Sequence, residues 1–264
     1  MIAEDAPRIR LFSIASLASK GRWRIEAMRT SSDHLFLWFT RGQGRVTVSG
    51  VTHGYGPHNA VLVPAGAVHG YEVGRQVLGT AVFIPPTADL YMPDEAVQFR
   101  VREPRAQAEL TGILDALRTE LDSDAPDHQR ASVLHAGLLG VWMARNENQP
   151  FAPDDYGAAS DRLAAEFSDR LERDFKTGKS IASYARDMGI TPTHLTRACK
   201  TACGKPASAL LTDRVIAEAQ VMLKDTDHPI GQISAQLGFT SPGYFSRAFH
   251  HSTGFTPSRF RKSG

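Results

Sequence analysis

The feature that most constrains this 264-residue chain is a stretch near its C-terminus that is written twice. Ile181-Ala182-x-x-Ala185-x-x-Met188-Gly189-Ile190-Thr191 matches Ile230-Gly231-x-x-Ser234-x-x-Leu237-Gly238-Phe239-Thr240 at an offset of 49. One inserted residue later, Leu195-Thr196-Arg197-Ala198 matches Phe245-Ser246-Arg247-Ala248 at an offset of 50, and Gly204 pairs with Gly254. A unit of about 50 residues used twice is one supersecondary module in two copies.

Each copy reads as helix, tight turn, helix. In the second, Ile233 and Leu237 lie four apart on one helical face. Gly238 ends that helix by accepting a left-handed backbone, and Phe239 fills the corner. Thr240 or Ser241 caps the next helix, and Pro242 suits its first turn, where no amide donor is needed. Tyr244, Phe245, Ala248 and Phe249 then form an apolar face, leaving Ser246, Arg247 and His250 polar. This is helix-turn-helix grammar, in which the second helix enters the major groove of DNA. One copy is weak evidence, because ordinary helical hairpins use the same stop residues. Two copies with arginine at the equivalent place are much stronger.

Residues 230–250, followed by Gly254-Phe255-Thr256-Pro257-Ser258-Arg259-Phe260-Arg261, resemble the AraC/XylS signature almost position for position. The first copy, ending Gly204-Lys205-Pro206-Ala207, resembles that family's less uniform first helix-turn-helix. The resemblance covers residues 160–264 and implies two helix-turn-helix units joined by a long helix, about residues 206–223. Both recognition helices would then enter successive major-groove segments on one face of double-stranded promoter DNA. Carried over by position, the first would present Thr193, Thr196 and Arg197 to the bases, with His194 and Lys200 nearby. The second would present Gly243, Ser246 and Arg247, with His250 and Lys262 closer to phosphates. Arginine can fork onto guanine, whereas lysine acts mainly as a charge near phosphate. Each arginine could equally lie along the DNA backbone or in a salt bridge. Cys199 departs from the pattern, where a large apolar residue is common, and reads as a small core residue.

Charge follows the same division. Residues 159–264 hold 15 Lys plus Arg against 10 Asp plus Glu, while the whole chain balances 30 against 28. A basic C-terminal part suits a polyanionic partner. With 42% hydrophobic and 22% charged residues the chain can build packed cores, which excludes disorder and a disulfide scaffold. Its longest apolar runs, such as residues 35–39, are too short to cross a bilayer. The start, MIAEDAPRIR, lacks a secretory pattern, and two cysteines four apart make no framework, so a cytoplasmic protein without membrane partners is expected.

The front reads differently. Residues 1–98 show short strands and Gly- or Pro-marked turns, including residues 23–27 as an alternating strand, and residues 54–59 as a turn. That spacing points to a small antiparallel barrel or sandwich. Pro64-Ala65-Gly66-Ala67-Val68-His69 resembles the second motif of the cupin barrel, and residues 42–50 resemble the glycine-punctuated hairpin of AraC-type sensor domains. Residues 99–148 form two amphipathic helices, with stripes at Ala108, Ile113, Leu114, Leu117, Leu121 and at Val133, Leu134, Leu138, Leu139, Trp142. These either cover a barrel face or make a homodimer contact. Residues 149–159, with two prolines and paired acids, read as a linker to residues 160–264. The fold class expected is α+β multidomain: a cupin-like antiparallel barrel, a helical connector and an all-α double helix-turn-helix domain.

The implied function is a one-component transcription regulator, an activator by family habit, touching RNA polymerase if so. The rival is a metal-dependent cupin enzyme using His34, His53, His58 and His69. It is disfavoured because the His-x-His and following Glu of enzymatic cupins are missing, and His53 and His58 read as loop residues. No catalytic set and no cofactor is expected. For the effector, Arg8, Arg10, Arg22, Arg24, Arg41 and Arg45 crowd the start of the chain, with Arg22 and Arg24 on one face of the expected strand. They suggest a small anionic ligand held by charge-assisted forks. Arg41-Gly42-Gln43-Gly44-Arg45 also resembles the Arg-x-x-x-Arg element by which PilZ domains hold cyclic di-GMP, without that family's accompanying Asp/Asn-x-Ser-x-x-Gly. Cyclic di-GMP is the leading named candidate; the alternatives are an aromatic or sugar acid inside the barrel, and a solvated basic face with an ordinary hairpin turn that binds nothing.

Overall fold

The computed structural model describes residues 8–19, 23–26, 28–74, 76–146, 148–150 and 158–262. The chain forms two compact units, one from most of residues 1–155 and one holding Tyr156–Gly264.

The first unit opens with β1 (Arg10–Ser13), α1 (Ile14–Ser19) and a single turn, α2 (Trp23–Glu26). Strands β2 (His34–Arg41), β3 (Gly44–Val48), β4 (Val51–Tyr55), β5 (Asn59–Val63), β6 (His69–Tyr71), β7 (Leu78–Ile84) and β8 (Val97–Arg100) follow. Helices α3 (Pro104–Leu121) and α4 (His128–Arg145) and the two-residue β9 (Gln149–Pro150) complete it. The strands make a six-stranded sheet, β1-β7-β2-β5-β8-β9, and a three-stranded sheet, β4-β3-β6.

The unbroken apolar run at residues 35–39 has a direct cause. The large sheet is covered on both faces, so side chains pointing either way must be apolar. Leu35, Leu37 and Phe39 pack with Val61, Val63 and Val46 between the sheets. Phe36 and Trp38 point the other way, into a core with Leu114 and Leu117 of α3 and Leu139 and Trp142 of α4. Trp142 lies 5.4 Å from Phe99 and donates its indole N–H to the Ala106 carbonyl at 3.2 Å.

Four expectations change here. Among the described residues the barrel is not closed: β1 and β9 take the outer positions beside β7 and β8, and the small sheet packs as a second layer. Residues 23–26 form a helical turn, with Ile25 buried, rather than a strand; the side chains of Trp23 and Arg24, and all of Arg22, lie outside the described residues. Residues 54 and 55 end β4, so the turn begins at Gly56, and His53 sits in a strand rather than a loop. Gln149 and Pro150 of the expected linker pair with Gln98 and Val97, and Pro150 fits there because an edge position needs no donor. Residues 151–157 lie outside the described residues.

The second unit is helical: α5 (Ala158–Asp174), a 3-10 turn (Phe175–Thr177), α6 (Ile181–Asp187), α7 (Pro192–Cys203), α8 (Ala207–Asp225), α9 (Ile230–Gln236), α10 (Pro242–Thr253) and α11 (Pro257–Lys262). The long α8 is held by Arg214, which is only 6% exposed. Its guanidinium forks onto Glu172 of α5 at 2.6 and 2.9 Å, reaches Glu218 at 3.1 Å, and stacks over Phe175 at 3.8 Å. A buried charge is tolerable because every arm is matched.

Candidate nucleic-acid interface

The two copies of the repeat fold with the same local chemistry. Gly189 and Gly238 take positive φ values of 67° and 74°, ending α6 and α9. Across each turn the next amide returns to the helix, Ile190 to the Ala185 carbonyl at 2.9 Å and Phe239 to Ser234 at 3.1 Å. Thr191 then caps α7 by accepting from the His194 amide, and Ser241 caps α10 by accepting from Tyr244, both at 3.2 Å. Of the two expected caps in the second unit, Ser241 serves. Gly204 and Gly254, both at φ 75°, end α7 and α10.

That shared geometry gives α7 and α10 nearly the same inside and outside. In α7, Leu195, Ala198, Cys199 and Ala202 are buried. Thr193, His194, Arg197 and Lys200 are exposed and Thr196 is half-buried. Thr193, Thr196, Arg197 and Lys200 follow the spacing of one helical face. In α10, Phe245 and Phe249 are buried, Gly243, Arg247 and His250 are exposed, and Ser246 is half-buried. Lys262 is exposed on α11, a separate element. Burial pushes the Cys199 thiol up to about 12, as befits a core residue rather than a reactive thiol.

The electrostatics favour the same surface. Many of the acids in this unit already have partners: Glu172 and Glu218 with Arg214, Asp174 and Asp187 with Lys179, Asp213 with Lys205, and Glu166 with Arg170. Among the described residues no ion pair engages Arg197, Lys200, Arg247 or Lys262. The exposed faces of α7 and α10, with Lys262 of α11, therefore keep uncompensated positive charge.

A family model for a helix-turn-helix domain matches residues 184–263. The chain is 25% identical over 240 residues to the arabinose operon regulatory protein of Escherichia coli (strain K12), covering 84% of this chain and 77% of that protein. The matched stretch is an AraC-type helix-turn-helix domain, and the chain is homologous to the arabinose and RhaR regulators. It is a DNA-binding transcription regulator of AraC type. It is also 27% identical over 154 residues to the HTH-type transcriptional activator RhaR of Salmonella schwarzengrund, spanning about half of that protein, 52% of its length. Among solved structures, ToxT from Vibrio cholerae O395 covers 97% of both chains at 14% identity with a TM-score of 0.41, too loose a superposition to locate any residue.

One residue of the second unit departs from the sequence expectation. Tyr244, assigned above to the apolar face, is 55% exposed. The repeat offset held the clue: residue 244 stands where the first copy has the exposed His194, at the third position of the helix. Its ring instead leans on Phe239, centroids 5.8 Å apart.

The front-half arginines are spread apart. Arg10 is paired with Asp33 at 2.6 Å and lies over Phe83, on β1. Arg45 forks onto Glu72 at 2.8 and 3.1 Å. Arg8 and Arg41 are exposed. Arg10 pairs in register with Phe83 and Arg41 with Leu78, so they stand at opposite ends of β7. The four histidines also diverge. His34 accepts from the Ala65 amide at 3.3 Å, and burial lowers its pKa despite Asp33 and Asp94. His69 is buried against the Ala67 carbonyl, and His58 is exposed in a turn. No three His, Cys, Asp or Glu among the described residues converge on a metal-sized site. None of the described helices is long and apolar enough to cross a membrane.

Proposed function

We propose that this regulator reads a two-part promoter site, with α7 and α10 in successive major-groove segments, under control of a small effector bound by the first unit. The observation that carries this reading is the matched exposure of Arg197 and Arg247, without ionic partners, at equivalent positions of two helices with the same caps. Thr193, Thr196, Gly243 and Ser246 lie beside them to meet base edges, and His194, Lys200, His250 and Lys262 to meet phosphates. Gly243 contributes close backbone approach only. Selection of bound duplexes from random DNA tests this: the enriched site should have two conserved blocks about one helical turn, roughly 10 bp, apart. A single block, or no enrichment, contradicts it.

A homodimer through α4 is favoured by a specific observation. Leu134, Leu138 and Val141 are 64%, 50% and 40% exposed at helical spacing, whereas Trp142 is spent on the sheet. A second copy laying the same stripe alongside would cover them. A folded Leu138→Glu variant should sediment as a monomer; unchanged sedimentation leaves α3 and α4 as a cover for the sheet alone.

For the effector, the anion reading now rests on Arg41 and Arg45, exposed at the two ends of the turn that passes from one sheet to the other. The Arg45–Glu72 pair is exposed on both sides, so it is weak and an anion could displace Glu72. Cyclic di-GMP remains the named candidate, although the spread of the other arginines gives it no shared cradle. A sugar or aromatic acid held by the first unit is the second reading, supported by the likeness to an arabinose operon regulator. Calorimetry with both classes, and with Arg41→Ala, separates them. The name of RhaR as an activator supports activation through RNA polymerase.

A further inference from the structure

A pocket of about 310 Å³ lies in the second unit, behind the second helix-turn-helix. Leu211 and Val215 of α8 form one wall, and the turn at Gly238 with Ala248 of α10 forms the other. Three aromatic rings from three separate elements border it: Phe175, Phe239 and Tyr244. The volume suits a small molecule at the lower end of ligand-pocket sizes.

The polar lining decides the ligand class. Thr212 and Thr240 bring hydroxyls and no charge. Lys179 also lines the pocket, but its ammonium is held between Asp174 at 2.8 Å and Asp187 at 2.6 Å. The pocket therefore has no spare cation, and burying an anion there would go uncompensated. Three rings with hydroxyl partners favour a flat, neutral arene that can itself make a hydrogen bond.

The lining also decides the consequence. It includes residues of the 3-10 turn, the segment after it, α8 and the second helix-turn-helix, and none of α6 or α7. Tyr244 stands at the rim and precedes Arg247 by three residues on α10, on the same side of the helix.

We propose that this pocket binds a neutral hydroxylated aromatic molecule, and that its occupancy turns α10 against α8 and weakens reading of the second half-site only. The binding claim stands by itself; the half-site claim rests on the α7 and α10 reading above. The ligand acts as a second input, distinct from any effector of the first unit, by favouring the arrangement of α10 that holds it.

The test uses the full chain with 2-naphthol as probe and 2-naphthoate as its charged counterpart. Calorimetry should give saturable uptake of about one naphthol per chain, with naphthoate at least tenfold weaker. Thr212→Trp fills the pocket from an exposed position, so folding is spared, and should lower naphthol affinity at least tenfold; Leu211→Trp is the second variant. In footprints of a selected duplex, naphthol should weaken protection of the block lost in Arg247→Ala about fivefold or more, and leave the other block unchanged. Absence of saturable uptake, equal binding of naphthoate, or full binding by both folded variants overturns the site. Naphthol uptake with both blocks unaltered overturns the coupling. Failure of the two-helix reading is seen separately, as no selective DNA binding before any probe is added.

Discussion

Replacing Gly238 by alanine should cost far more than the same change at Gly189, although the two glycines occupy equivalent places in the repeat. Both have positive φ, 74° and 67°, where an added Cβ costs about 1–2 kcal/mol. At Gly189 nothing stands within 4 Å of that Cβ. At Gly238 it would come to 2.7 Å from the Lys176 carbonyl oxygen and closer still to the Gly178 amide nitrogen. Both obstacles are backbone, so the 3-10 turn or the α9–α10 turn must move, adding about 1–3 kcal/mol of overpacking. The expected losses are about 1–2 kcal/mol for Gly189→Ala and about 2–5 kcal/mol for Gly238→Ala. All three tryptophans precede residue 159, so fluorescence would report the wrong unit. Hydrogen exchange of amides in residues 158–262, with urea titration followed by helical dichroism, reads the right one. Equal losses in the two variants would refute the close approach of the Gly178 and Gly238 backbones as a constraint on the second turn.

Two further predictions concern the core of the same unit. The Ser234 hydroxyl is buried without a hydrogen-bond partner, where the first copy has Ala185, so Ser234→Ala should leave stability unchanged or raise it by up to about 1 kcal/mol; a clear fall in the urea midpoint would show that the hydroxyl is used. Burial would raise the Glu218 carboxyl, but Lys176 at 2.7 Å and Arg214 at 3.1 Å outweigh it and hold the group below its ordinary 4.5. A depressed folded-state pKa stabilises the fold fully above 4.5 and is lost as pH falls through the folded value, so stability should drop in acid and drop less steeply in Glu218→Gln; identical acid limbs for the two proteins would remove Glu218 from the account.

The DNA-reading half was largely legible because its determinants are local. Glycine at a left-handed position, a hydroxyl cap and a proline in the first turn act within a few residues of each other, and the repeat displayed each of them twice. Tyr244 escaped because an aromatic at helical spacing looks like core, and only comparison with His194 at the offset of 50 says otherwise. The front half was less legible because its facts are nonlocal. Arg10 meets Asp33 and Arg45 meets Glu72 across many intervening residues, which turns apparently free arginines into paired ones. The run at residues 35–39 could announce a buried strand but not the two different layers its alternate side chains meet. For the same reason the α4 stripe merged two faces: Leu134 and Leu138 look outward, Leu139 and Trp142 inward. Residues 23–26 offered too short a window to separate a strand from one turn of helix.

The most direct test of the central claim is base preference at each half of a selected duplex, measured for Arg197→Ala and Arg247→Ala against the unaltered protein. Each variant should lose about 1–3 kcal/mol on the selected site, with relaxed base preference confined to one block, a different block for each. Equal losses on selected and random DNA, with both blocks keeping their preference, would reduce the two arginines to phosphate contacts and contradict the claim that α7 and α10 read sequence through them.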